Sequence, residues 1–183
     1  MWRWAAVLLC FFAPAHALAY TNEPLINRDG FSGEPTCREC HVHDLAKAEH
    51  GRIEISGLPE RYESGRAYSL TIRAHYSDLK RGGFQMSARF ADGRQAGLLA
   101  AVDARTVVMT DPESGVAFAF HSEAGLAAIG PGTATWSARW TAPATTDPVI
   151  VSIAVNASNA DDSALGDVIL LARREIRPAR KDP

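Results

Sequence analysis

The chain has 183 residues, with 19 basic and 21 acidic side chains and a net charge of −2. That near balance, tilted towards acid, argues against a nucleic-acid partner and suits a basic protein partner. With 46% apolar residues and three cysteines, the fold must rest on a hydrophobic core and not on a disulfide framework.

At the start, Arg3 precedes an apolar run from Ala5 to Phe12 that is too short to cross a bilayer. Ala15, Ala17 and Ala19 offer the small residues that a signal peptidase reads, which predicts a leader over 1–19. Cleavage is expected after Ala19, with Ala17 as the alternative, and export to the periplasm or beyond. Cys10 leaves with the leader, and the loss of Arg3 takes the net charge to −3. No apolar stretch after Ala19 is long enough for an integral membrane segment. The remaining length suits one domain.

Residues 20–52 form one segment, opened by an irregular polar lead-in from Tyr20 to Pro35 that is broken by Pro24, Gly30, Gly33 and Pro35. Inside the segment lies Thr36-Cys37-Arg38-Glu39-Cys40-His41, the only cysteines left after cleavage. Two thiols three positions apart, followed at once by a histidine, are the pattern of covalent haem c attachment. Cys37 and Cys40 would each form a thioether to a vinyl group, and His41 would ligate iron from the proximal side. Three other readings compete. A redox dithiol needs a βαβ setting that is not legible here. A zinc site would need two more ligands, such as His43 and His50. A plain disulfide is open to any exported pair. Asp44 to Glu49 predicts either a short helix capped by Asp44 and stopped at Gly51, or a single turn.

After Gly51 the periodicity becomes two. Ile53 and Ile55 alternate with polar residues, and so do Tyr68, Leu70, Ile72 and Ala74. Phe84, Met86, Ala88 and Phe90 face inwards, with Gln85, Ser87 and Arg89 expected outwards. Asp92-Gly93 marks a turn. Shorter strands are predicted over 97–102, 106–110 and 116–120. Trp136, Ala138 and Trp140 share a face, and Val149, Val151, Ile153 and Val155 alternate cleanly. Residues 156–166 read as a polar loop, 168–172 as the last strand, and the charged end beyond as fraying. Eight or nine short strands between Gly, Pro, Asn and Asp turns predict an all-β sandwich over 53–175 with a tail at 176–183.

Several stretches point further: Gly57-Leu58-Pro59 with Tyr62 and Gly65-Arg66-Ala67-Tyr68; Gly83-Phe84-Gln85-Met86; Gln95-Ala96-Gly97; Phe120-His121-Ser122; Trp136 to Pro143; and Asn156 to Val168. In this order they resemble the reeler-type β-sandwich, in its bacterial form the choice-of-anchor V domain, which often follows a CxxCH segment. The resemblance implies an immunoglobulin-like sandwich joined to an exported monohaem c-type cytochrome. Many relatives carry a C-terminal membrane or sorting segment. This chain ends at Arg180-Lys181-Asp182-Pro183, so envelope attachment is not implied.

The ligand opposite His41 would set the chemistry. His43 is too near, because two residues span at most about 7 Å. Met86 reads as core beside Phe84 and Phe90, Met109 sits in an apolar run, and His75 ends a strand before a turn. His121, at a strand end, is the leading candidate for the distal ligand, with His50 next. Relatives without haem also carry a histidine at the position of His121, which implies a structural hydrogen bond as its other role. Asn156, Asn159, Asp161, Asp162 and Asp167 would suit calcium, but they lack EF-hand spacing and are ordinary turn residues. The expectation is an exported one-electron carrier that meets redox partner proteins transiently. The alternatives are a binding or adhesion module with a structural or sensing haem, and an enzyme or gas sensor with open iron.

Overall fold

The computed structural model describes residues 25–41 and 45–180. The leader, His43, the Asp44 cap and the last three residues lie outside the described residues. Ten strands build the body: β1 (Arg52–Ser56), β2 (Arg61–Tyr62), β3 (Ala67–His75), β4 (Arg81–Arg89), β5 (Leu98–Ala101), β6 (Thr106–Thr110), β7 (Ala117–His121), β8 (Thr133–Thr141), β9 (Val149–Ser158) and β10 (Val168–Pro178). They form a four-stranded sheet, β1-β3-β8-β5, and a six-stranded sheet, β2-β10-β9-β4-β7-β6. Every pairing is antiparallel except the short one between β2 and β10. One helical turn, α1 (Leu45–Ala48), precedes β1.

The alternation in the sequence sets the core between the sheets. Leu70, Ile72, Trp136, Trp140, Phe84, Met86, Ile153 and Val155 are all buried there. Phe84 stacks on Trp136 at 4.8 Å between ring centroids. Both buried indoles satisfy their N–H groups, Trp136 to the Gly125 carbonyl and Trp140 to that of Ala96, each at 2.9 Å. These bonds tie loop backbone to the core and avoid the penalty of a buried lone donor.

Four expectations are corrected. The last strand runs to Pro178, because Ile176 is buried and Arg173 to Ile176 continue the ladder with β9. Residues 156–158 extend β9 opposite Gly83, Gly82 and Arg81 before the loop begins. Met109 lies 42% exposed on β6, an edge strand, outside the core. Lastly, Gln85, Ser87 and Arg89 do leave the core side of β4, yet they are only 2%, 0% and 3% exposed. The lead-in covers them. It lies across the outer face of the six-stranded sheet, and that docking positions the cysteines.

Candidate functional site

Arg89 is the centre of the dock. Its guanidinium donates to both Glu34 carboxylate oxygens at 3.0 and 2.8 Å, to Asn27 Oδ1 at 3.1 Å and to Asp29 Oδ1 at 3.4 Å. Phe31 and Phe118 lie against its planar face at 4.6 and 5.0 Å, and Phe31 is itself 2% exposed. Gln85 adds a backbone-like pair, accepting from Arg28 N–H and donating to the Leu25 carbonyl. Ile26 packs on Val116, Phe118 and Phe120. Burial pushes the Asp29 carboxyl up from its ordinary value, while Ser87 and Arg89 pull the other way. A polar segment with one phenylalanine thus becomes fixed through charge pairing that spans more than fifty residues of sequence.

Next comes the cysteine turn. Thr36 caps it by accepting from Arg38 N–H at 3.1 Å, and a 3-10 turn follows over Cys37–Glu39. The Cys37 carbonyl accepts from both Cys40 N–H and His41 N–H, at 3.3 and 2.9 Å. One turn therefore places positions 37, 40 and 41 on one side, as three- and four-residue spacings do. Arg38 reaches the Ile169 carbonyl on β10 at 3.4 Å and fixes the turn to the sheet. Both thiols are free, with Cys40 exposed and Cys37 partly covered. Burial pushes the Cys37 thiol up to about 11.

His41 is held from an unexpected quarter. Its Nδ1 lies 2.8 Å from Asp167 Oδ2, at the entry to β10, and Asn156 on β9 donates to the same oxygen at 3.0 Å. Asn156 Nδ2 also lies against the His41 ring, 3.1 Å from Nδ1 and 3.5 Å from Nε2. Asp167 is 1% exposed, and its Oδ1 and Asn156 Oδ1 have no partner among the described residues. By sequence Asp167 and Asn156 are turn or calcium residues. The resemblance already singled out both, and the six-stranded sheet carries them to His41. Of the rest of that loop, Asp161 accepts from Asn159 Nδ2 and Ser163 N–H, and Asp162 pairs with Arg81. Among the described residues no group of three or more His, Cys, Asp or Glu side chains is arranged to hold a metal ion.

His121 fills the gap where β7 parts from β4. Its Nδ1 is 3.1 Å from Phe84 N and 3.2 Å from Phe84 O, and the ring is 7% exposed. Accepting from the buried Phe84 N–H places the proton on Nε2. A Cβ on Gly83 would come within 2.9 Å of the His121 ring. Gly83→Ala is therefore expected to displace that ring and cost about 1–3 kcal/mol, measured by denaturant unfolding. Gly83 is also the cross-strand partner of Asn156. The His121 ring and His41 thus meet the same cross-strand pair, the first from the β7 side and the second from the β10 side.

Burial holds the His121 ring neutral, with its pKa below the ordinary histidine value, and the nearby Phe84 carbonyl, an acceptor for the protonated ring, opposes this only in part. The folded chain keeps the ring unprotonated while the unfolded chain takes up a proton near the ordinary value. The stabilisation is complete above that value and is lost as pH falls below it. Haem-free protein should therefore lose unfolding free energy between neutral pH and pH 5, and His121→Gln should flatten that limb.

The other candidates lie elsewhere. His50 is exposed and lines a shallow cleft with Arg52, His75, Tyr76 and Gly132, beside the four-stranded sheet. His75 contacts Thr133 Oγ1 at 3.2 Å and Glu54 at 3.5 Å. Met86 is sealed in the core. Among the described residues no helix is long and apolar enough to cross a membrane.

No family model matches the chain, and no curated protein matches it. Among solved structures it is similar to the reeler domain of human F-spondin, at 19% identity and a TM-score of 0.48 over 71% of this chain and 89% of that one. A structure of the Reelin-N domain of F-spondin gives 16% and 0.49 over 72% and 87%. A cohesin module from a Clostridium perfringens family 33 glycoside hydrolase gives 10% and 0.48 over 70% and 96%. The β-sandwich itself rests on the two sheets and the core between them.

Proposed function

We propose that this protein is an exported monohaem c-type cytochrome that passes one electron between protein partners, with its haem segment docked on a reeler-like sandwich. The observation that carries the reading is the His41–Asp167 contact beside two free thiols. With Nδ1 bonded to the carboxylate at 2.8 Å, His41 keeps Nε2 as its ligating nitrogen, which is how protein carboxylates orient metal-bound histidines. Buried Asp167 has no ion-pair partner other than His41 among the described residues. A carboxylate so placed calls for positive charge at the imidazole, which iron on Nε2 would supply. The donor set fits haem c: Cys37 and Cys40 for the two thioethers, His41 for the iron.

When bound, the haem supplies a one-electron iron couple. The residues around it hold and shield it. Exposed Cys40 leaves the attachment edge open to a partner, while exposed Leu165 and Leu171, on either side of Asp167 in sequence, offer apolar surface for a ring to cover. As a second iron ligand we favour His121 over His50, because its ring lies against Gly83, the cross-strand partner of Asn156. Ligation by its Nε2 would turn Nδ1 into a donor to the Phe84 carbonyl and leave the Phe84 N–H unbonded, at a cost of about 1–3 kcal/mol.

Optical spectra of matured protein in both oxidation states test this reading. Six-coordinate low-spin iron that cycles reversibly and turns high-spin in His121→Ala is expected. Carbon monoxide binding to the reduced wild type would favour an open site for small ligands, and a redox-silent protein would favour a binding module.

A further inference from the structure

We infer that Asp167, clamped by Asn156, is a positioning residue that makes His41 an electron-rich iron ligand and so keeps the oxidised state of the centre favoured. The inference deepens the haem reading above and rests on it.

Three features of the contact carry it. First, the acceptor facing His41 Nδ1 is a full carboxylate at 2.8 Å and not a backbone carbonyl. A charged acceptor draws the Nδ1 proton more strongly and makes Nε2 a better donor to the metal. Second, no Lys or Arg neutralises the charge among the described residues. The Asp167 side chain is 2% exposed, and its Oδ1 is unbonded there. Away from water, a negative charge acts on nearby iron with little screening. Third, the geometry is set in advance. Asn156 belongs to β9 and Asp167 immediately precedes β10, strands that pair directly, and Asn156 Nδ2 holds the bonding oxygen at 3.0 Å. The carboxylate is therefore aimed by the sheet and not by the haem segment. Both effects stabilise ferric over ferrous iron, because the ferric centre carries one more positive charge.

The test is the midpoint potential of matured holoprotein, measured by spectroelectrochemistry in Asp167→Asn and Asn156→Ala. Asp167→Asn keeps a hydrogen-bond acceptor of the same shape and removes the charge. At the wild-type midpoint the ratio of reduced to oxidised protein should rise about tenfold, a shift of about 59 mV for one electron. Asn156→Ala should move the potential the same way by a smaller amount, and it decides the question alone if Asp167→Asn does not mature. Thermal stability of each variant is read separately, since a purely structural role would lower it without moving the potential. Haem-bearing variants with unmoved potentials would overturn this inference and leave the cytochrome reading intact. Wild-type protein without covalent haem would overturn both.

Discussion

Serine at both Cys37 and Cys40 should abolish the proposed covalent haem attachment and leave the sandwich folded. Neither thiol supports the body of the protein. Cys40 is exposed, and the single polar contact of Cys37 among the described residues is a weak one, 3.8 Å from the Arg28 carbonyl. The turn that presents them is held by Thr36, the Cys37 carbonyl and Arg38, none of which needs sulfur. The double variant, expressed with haem maturation machinery, should therefore show the mass of the bare polypeptide and no haem absorbance. Its unfolding free energy should lie within about 1 kcal/mol of haem-free wild type. A double variant that fails to fold would mean that the pair is structural, through a disulfide or a metal.

The second large effect is at Arg89. Replacing it with methionine keeps much of the volume and removes the cation paired with Asp29 and Glu34. Because the Asp29 side chain is fully buried, the loss strands a carboxylate away from water, at a cost of about 3–5 kcal/mol. For a domain of this size that lowers the melting temperature by on the order of 10 °C. The lead-in should loosen first, so limited proteolysis between residues 25 and 36 should accelerate in Arg89→Met. Adding Asp29→Asn should recover part of the stability, since the stranded charge is then gone. If Arg89→Met melts with the wild type and resists protease equally, the lead-in is not held in this way.

The core strands were legible because burial on one side writes itself as alternation. Leu70 and Ile72, Trp136 and Trp140, and Val151 and Ile153 all occupy the inner faces their spacing implies. The spacing of Cys37, Cys40 and His41 is what carries the proposed haem reading, because thioether chemistry requires that pattern. The outer face of β4 was not legible. Alternation tells which residues share a face, and it cannot say whether a polar face meets water or another polar segment. Gln85, Ser87 and Arg89 look solvated in sequence, and their covering partners Asn27, Asp29 and Glu34 look like loop residues. The pairing becomes visible only when residues about sixty apart are brought together. The same limit hid the support of His41, since Asn156 and Asp167 have the composition of a turn and act through the β9–β10 ladder that carries them to the histidine. The end of β10 was misjudged because Arg173, Arg174 and Glu175 are exposed, and only Ile176 marks the strand as still anchored.

The most direct measurement is intact mass together with a pyridine haemochrome assay on wild-type protein matured in a host that makes c-type cytochromes. One haem per chain, surviving denaturation and carrying the haemochrome spectrum of saturated thioether linkages, is the result expected. Bare polypeptide mass from that host, with zinc or a sulfur–sulfur bridge at Cys37 and Cys40, would contradict it.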